Sequence, residues 1–182
     1  GHATIATFCV LRDEGIVPEG TVCMNHTLAG DLEVAVGEEV MMQMAPPEVV
    51  GKEMDIQRLR KVMFPAGIAP QNEVAGGVLV PEIVSTGLPD IIMPVASLGE
   101  LEALEPDMPA LSALSKELDV VGVHAFALSD DGYTAHVRNF APLYDIPEES
   151  ATGTANAALT YYLLKNGVIG EGAQCRFMQG EA

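Results

Sequence analysis

Cations are scarce in this chain: 9 Lys and Arg stand against 26 Asp and Glu in 182 residues, a formal charge of −17. That balance opposes binding to nucleic-acid phosphates or anionic membranes, both of which need clustered Lys and Arg. The basic cluster Lys52, Arg58, Arg60 and Lys61 reads as a solvated helix face. Long apolar runs are also missing, since none approaches the roughly 20 residues that span a bilayer. The three cysteines, Cys9, Cys23 and Cys175, are odd in number, widely spaced and outside any C-x-x-C pair. They imply neither a disulfide framework nor a zinc site, and free thiols suit a cytoplasmic, reducing setting. Common catalytic signatures are absent: no GxGxxG after a strand, no phosphate loop, no HExxH and no GxSxG. His2, His26, His124 and His136 share no metal-ligand spacing, and the last three read as residues on sheet faces. The expectation is therefore no metal, no nucleic acid and no membrane.

What is plentiful is aliphatic surface. Hydrophobic residues make up 48% and aromatics only 5%, so a core of Leu, Ile, Val, Met and Ala is expected in an ordered chain. Ile5, Phe8, Cys9 and Leu11 are spaced for a first helix over 3–12, stopped by Gly15. Strands follow over 21–28 and 31–44, joined at Ala29-Gly30-Asp31, and Pro46-Pro47 ends the second. A helix is predicted over 55–64. Residues 65–77, rich in Gly, Pro and polar residues, read as a linker between domains at 1–77 and 78–182. Beyond it come strands over 78–84 and 90–95, helices over 98–104 and 110–118, a hairpin of 120–128 and 133–140, and a helix over 154–164.

The chain repeats itself. Shifted by 152 residues, Gly1 meets Gly153, Ala3 meets Ala155, Ala6 meets Ala158, Leu11 meets Leu163, Gly15 meets Gly167, Glu19 meets Glu171, Gly20 meets Gly172 and Cys23 meets Cys175. Those are 8 identities in 23 ungapped positions, where composition alone gives about two. The pattern implies a duplicated α+β fold of two pseudo-symmetric domains, each a curved sheet wrapped around a central helix that begins at a Gly turn. In the second half a hairpin and a loop precede that helix. Their counterparts in the first half fall before Gly1, so a preceding segment is expected.

Both repeated helices start at such a turn, Gly1-His2-Ala3-Thr4 and Thr152-Gly153-Thr154-Ala155. First-turn N–H groups have no intrahelical acceptor, and the helix dipole places positive potential there, which together favour an anion. Ordinary capping by Thr4, Thr152 or Thr154 is the alternative. His2, Glu148 and Glu149 lie close in sequence to the two turns and supply titratable groups.

The stretch Tyr144-Asp145-Ile146-Pro147-Glu148-Glu149-Ser150-Ala151-Thr152-Gly153-Thr154-Ala155-Asn156 resembles the signature of the PhzF family, the isomerases of phenazine biosynthesis and their relatives, typically I-P-E-D-P-A-T-G-S-A-N. Gly1-His2-Ala3-Thr4 is similar to that family's C-G-H-A-T, and Arg138-Asn139-Phe140-Ala141-Pro142 and Val84-Ser85-Thr86-Gly87-Leu88-Pro89 also resemble family segments. The resemblance implies the fold of diaminopimelate epimerase, a homodimer, and catalysis without metal or organic cofactor. It implies an isomerase that moves a proton between carbons of a small unsaturated or cyclic carboxylic acid. By position, His2 matches a catalytic His, Glu149 a catalytic Asp and Thr154 a substrate-binding Ser. Gly1, Thr152 and Gly153 fall at the substrate-binding turns. His2 and Glu149 are thus expected to line one cleft. Three departures stand out: Glu149 is one methylene longer, Ser150 replaces a Pro, and Thr154 adds a methyl. The family's principal base, a Glu, is expected in a segment before Gly1, with the natural chain longer at both ends.

Two other readings stay open. A thiol racemase of the same fold needs a Cys before the Gly at each turn, whereas Thr152 holds the second such position. A non-catalytic small-acid-binding protein would keep the site without its chemistry.

Overall fold

The computed structural model describes residues 1–27, 30–67, 73–74 and 77–180. The chain divides into two compact units, Gly1–Pro47 and Glu48–Ala182. In the first, helix α1 (His2–Asp13) precedes an antiparallel sheet in the order β1 (Thr21–Thr27), β2 (Gly30–Val36), β3 (Val40–Met42). Alternation in β2 turns Leu32, Val34 and Val36 inward and Glu33 and Ala35 outward, as a one-sided sheet requires. The single strand expected over 31–44 is two strands, because the chain reverses at Gly37-Glu38-Glu39. Arg12, in the last turn of α1, donates to the carbonyls of Gly37 and Glu38 at 3.0 and 2.6 Å and ties the helix to that reversal. Leu28 and Ala29, expected at the preceding turn, lie outside the described residues.

The second unit runs β4 (Glu48–Val49), α2 (Ile56–Met63), β5 (Glu73–Val74), β6 (Gly77–Val78), β7 (Glu82–Ser85), β8 (Pro89–Pro94), α3 (Leu98–Glu102), α4 (Met108–Leu118), β9 (Val123–Leu128), β10 (Ala135–Ala141), β11 (Ile146–Glu149), α5 (Gly153–Lys165) and β12 (Phe177–Gln179). The division falls at residue 47 rather than within 65–77, where the sequence placed the boundary between 1–77 and 78–182. Residues 48–64 belong to the second unit because β4 pairs with β7 and because Leu59, Met63 and Phe64 are buried in its core. Of the expected linker, 68–72 and 75–76 lie outside the described residues. Helix α4 starts two residues earlier than the periodicity predicts. Asp107 caps it by accepting from Ala110 N–H at 3.0 Å, and Pro109 is tolerated in a first turn. The basic cluster proves to be surface: Arg58 pairs with Glu117, and Lys52 donates to the Leu118 carbonyl at 2.6 Å.

Six strands of the second sheet run β11-β10-β9-β8-β7-β4, and β12 also pairs with β10. Successive side chains point to opposite faces, so each face builds its own core. Ile83, Ile91, Met93, Val123, Ala125 and Phe140 pack under α2, α3 and α4, where Leu59, Leu101, Leu111 and Leu114 are buried. On the other face Val84, Ile92, Phe126 and Val137 pack against Ala158, Leu159, Tyr162 and Leu163 of α5. Strand β10 carries two partners on one edge. Parallel β12 sets Gln179 opposite Val137, and antiparallel β11 sets Glu149 opposite Asn139.

The repeat is visible in the backbone. Helix α1 ends where Ile16 and Val17 N–H both reach the Leu11 carbonyl, and α5 ends where Val168 and Ile169 N–H both reach that of Leu163. The residues that follow match too: Gly15 and Gly167 have φ 68° and 70°, and Gly20 and Gly172 have φ 84° and 74°. Side chains other than Gly rarely adopt that region, so the repeated glycines are required by the repeated turn.

Another glycine is held by contact rather than by φ. A Cβ on Gly122 would lie 1.9 Å from the Phe140 carbonyl oxygen, a backbone atom that cannot swing aside. Gly122→Ala is therefore expected to cost about 3 kcal/mol or more, at the upper end for overpacking, and the denaturation midpoint reads it.

Candidate active site

Helix α5 begins without a side-chain cap. Thr152 occupies the cap position, but no side chain accepts from the first turn. Among the described residues the N–H groups of Gly153, Thr154 and Ala155 have no acceptor, and the first closed bond is Asn156 N–H to the Thr152 carbonyl at 3.0 Å. The capping alternative fails here, and the turn keeps three donors at the positive end of the helix. Thr154 is held by its own carbonyl, which accepts from the Thr86 hydroxyl at 3.0 Å, while its hydroxyl has no partner among the described residues.

Just before this turn two glutamates face different tasks. Adjacent residues of β11 point to opposite faces, so Glu148 meets Arg138 on one side and Glu149 faces the α5 side. Arg138 Nε and one terminal nitrogen each reach a Glu148 oxygen at 2.8 Å. The other terminal nitrogen donates to the carbonyls of Leu101 and Leu104 at 3.1 and 3.0 Å. Glu148 is thus committed to a half-buried bidentate pair. The carboxylate of Glu149 has no partner among the described residues, and its side of β11 carries the α5 turn.

Sequence reasoning missed the residues that hold this loop. The Gln179 side chain donates from Nε2 to the Glu149 carbonyl at 2.8 Å and to the Thr152 hydroxyl at 2.9 Å. Its Oε1 accepts from Thr152 N–H at 3.0 Å and from Asn156 Nδ2 at 3.2 Å. Asn156 Oδ1 in turn faces His124 Nε2 at 3.0 Å, and Asn139 Nδ2 faces His124 Nδ1 at 3.2 Å. His124 is fully buried, and burial pushes its ring down to about 4, partly opposed by the bond to Asn156. The ring is neutral at pH 7. No local motif announces this cluster, since it is gathered from β9, β10, α5 and β12; only the apolar surroundings of His124 in the sequence hint that the ring is buried.

A second buried group faces the same side. Asp90, on β8, is 2% exposed, and its Oδ1 lacks a partner among the described residues. Desolvation raises its carboxyl to about 7, against the pull of Gly122 N–H.

The other expected site residues belong to the first unit. Gly1 precedes α1 and makes no side-chain cap, and His2 is exposed in the helix's first turn. The structure thus gathers Glu149, Thr152, Gly153 and Thr154 at one turn and places Gly1 and His2 at the matching turn of α1, each described in its own unit. His26 pairs with Asp31 at 2.6 Å and His136 with Asp131 at 2.7 Å. Among the described residues no group of three or more His, Cys, Asp or Glu could hold a metal, and no helix is long and apolar enough to cross a membrane. A cavity of about 330 Å³ lies on the other face of the sheet, lined by Leu98, Leu101, His136, Arg138 and Met178, none of them an expected site residue.

The phenazine biosynthesis-like protein family matches residues 1–182. The chain belongs to this family. An uncharacterized isomerase of Deinococcus radiodurans is 34% identical over all of this chain and 60% of its own length. The chain thus spans less than two thirds of that relative. A trans-2,3-dihydro-3-hydroxyanthranilate isomerase of Pseudomonas chlororaphis is 32% identical over 54% of this chain and 34% of its own. Among solved structures, a Bacillus anthracis PhzF-family phenazine biosynthesis protein superposes with a TM-score of 0.73 at 23% identity, over 90% of this chain and 56% of that one. A hydroxyproline epimerase from Agrobacterium vitis does so at 0.59 and 18%, over 97% and 54%. The α+β fold of this PhzF-family chain is therefore shared with epimerases as well.

The two buried titrating groups oppose each other with pH. His124 binds its proton less readily folded than unfolded, so its contribution is complete above about 6.5 and is lost as pH falls towards 4. Asp90 binds its proton more readily folded, so its contribution is complete below about 4 and is lost as pH rises through 7. Asp90→Asn should remove the second of these pH dependences. Its stability relative to wild type is expected to rise by a few kcal/mol between pH 4 and 8, at about 1.4 kcal/mol per unit, and to show in urea titrations across that range.

Proposed function

We propose that this protein is a cofactor-independent isomerase that moves a proton between carbons of a small unsaturated or cyclic carboxylic acid by general acid–base catalysis. One observation carries the reading: a Glu149 carboxylate and three N–H groups of α5, all without partners among the described residues, stand at one loop fastened at both ends by Gln179. The N–H groups receive the substrate's carboxylate, or the enolate-like oxygen that develops when a neighbouring carbon loses a proton. A proton leaves one carbon and returns to another with Glu149 assisting as an acid–base group, so the net change is a shifted double bond with no proton gained or lost. The hydroxyl of Thr154, one turn position on, fixes the bound acid. His2, at the matching turn of α1, is assigned as the second acid–base group through its match to the family motif, and Gly1 to the binding turn.

The relatives named as isomerases support this class of reaction. The thiol alternative lacks its sulfur at the second turn, where Thr152 stands and where its hydroxyl accepts from Gln179. Ser150, Glu149 and Thr154 each alter the pocket relative to the family pattern, so the substrate class is set more broadly than a single phenazine precursor.

The test is exchange of carbon-bound protons with deuterated water, read by NMR, for the full-length protein with a panel of cyclic and unsaturated carboxylic acids. At least one acid should exchange, and Glu149→Gln should slow it by about 10²–10⁴-fold, the usual weight of a general acid–base group. Glu148→Gln should keep most of the exchange rate and instead cost about 2 kcal/mol of stability. That is below the figure for a fully buried pair because the Glu148 side chain is 30% exposed. Uniform absence of exchange, or equal losses from both glutamates, would overturn the assignment.

A further inference from the structure

We propose that Gln179 is a positioning residue for Glu149, and that the polar chain from Gln179 through Asn156 to His124 exists to lock the Gln179 amide in one orientation. The proposal rests on Glu149 being the acid–base group. Its observation is a directional run of hydrogen bonds. At one end stand two backbone groups whose roles cannot reverse: the Glu149 carbonyl accepts only, and Thr152 N–H donates only. Gln179 meets them with Nε2 and Oε1 respectively, at 2.8 and 3.0 Å. A flipped amide would set oxygen against oxygen and N–H against N–H. With Oε1 so fixed, Asn156 must offer Nδ2 to it and Oδ1 to His124. His124 must then carry its proton on Nε2, leaving Nδ1 to accept from Asn139. The two backbone groups thus dictate the tautomer of a ring on β9, and the packed ring holds the amide of Gln179 against rotation. Neither glutamine nor histidine touches a reacting atom in this scheme; they place the one that does.

Placement matters because Glu149 must meet the reacting part of the substrate, and an error of about 1 Å can cost 10²-fold in rate. Gln179 controls that placement through a carbonyl and an N–H at the two ends of the loop before α5. Loss of its amide leaves the α5 donors in place but unhooks Glu149.

The experiment has two arms on the full-length protein. Without substrate, nitrogen-15 NMR should show His124 protonated on Nε2 and a slowly exchanging Thr152 amide. Protonation on Nδ1, or a Thr152 amide exchanging like an exposed loop, overturns the proposal whether or not the protein is an enzyme. With an exchanging acid, Gln179→Met should lower kcat about 10²-fold while KM stays within about threefold, and in a Glu149→Gln background it should cause no further loss. If the two losses multiply, Gln179 does not act through Glu149 and the proposal fails. Should Gln179→Met not melt cooperatively, Gln179→Glu is read in the same cycle, since it keeps both accepted bonds and removes both donated ones. Absence of exchange with every acid defeats the isomerase reading, and the first arm alone then decides whether the amide is locked as described.

Discussion

Strand β10 offers one hydrogen-bonding edge to two short strands, parallel β12 along residues 135–137 and antiparallel β11 along residues 139–141. Neither strand is long enough to persist alone, and each depends on β10 for its backbone partners. Sharing the edge sets Gln179 and Glu149 two positions apart on the same face, within reach of one amide side chain. The start of α5 then follows, because the same amide also grips Thr152. A shift of β12 by one residue would turn Gln179 to the opposite face and leave the Glu149 carbonyl and Thr152 N–H without their partners.

Polar groups are buried or half-buried beside α5, next to the apolar cluster of Val84, Ile92, Phe126 and Val137. Such burial is tolerated when every donor finds an acceptor, and His124, Asn139, Asn156 and Gln179 meet that condition in a single chain. Asp90 does not, and its raised pKa is the result. Arg138 on the opposite face solves the same problem with charge: its guanidinium is shared between a carboxylate and buried carbonyls at and just beyond the end of α3, and it lies 4.9 Å from the Phe140 ring centre. The two faces of β10 therefore carry different chemistry from adjacent residues, a neutral relay through Asn139 and an ion pair through Arg138.

Much of this was legible in the sequence, for identifiable reasons. The 3.6-residue spacing gave both repeated helices, and their glycines at Gly15 and Gly167 gave the stops, because those signals are local. The Gly-turn helix starts and the pair Glu148-Glu149 were likewise visible, though not which glutamate was free, since that depends on Arg138 ten residues earlier. The relay was not legible. Its members are separated by up to 55 residues and meet only through strand register, which a single sequence does not encode locally. The boundary at 65–77 was misplaced because a Gly- and Pro-rich stretch marks a loop, whereas residues 48–64 are assigned by the apolar face of α2. The break in the strand over 31–44 was missed for the opposite reason: Gly37-Glu38-Glu39 is a short polar interruption inside a well-alternating run.

The parallel pairing of β12 also has a consequence in time. Gln179 follows Glu149 by 30 residues. On a ribosome adding about 5–20 residues per second, the carboxylate loop emerges some two to six seconds before the amide that fastens it. During that interval β11 and the start of α5 can form, but the loop has no fixed geometry, and the outer half of the β10 edge stands open. The nascent chain thus carries an unfastened loop until β12 pairs with β10. Completing the edge and fixing the loop are one event.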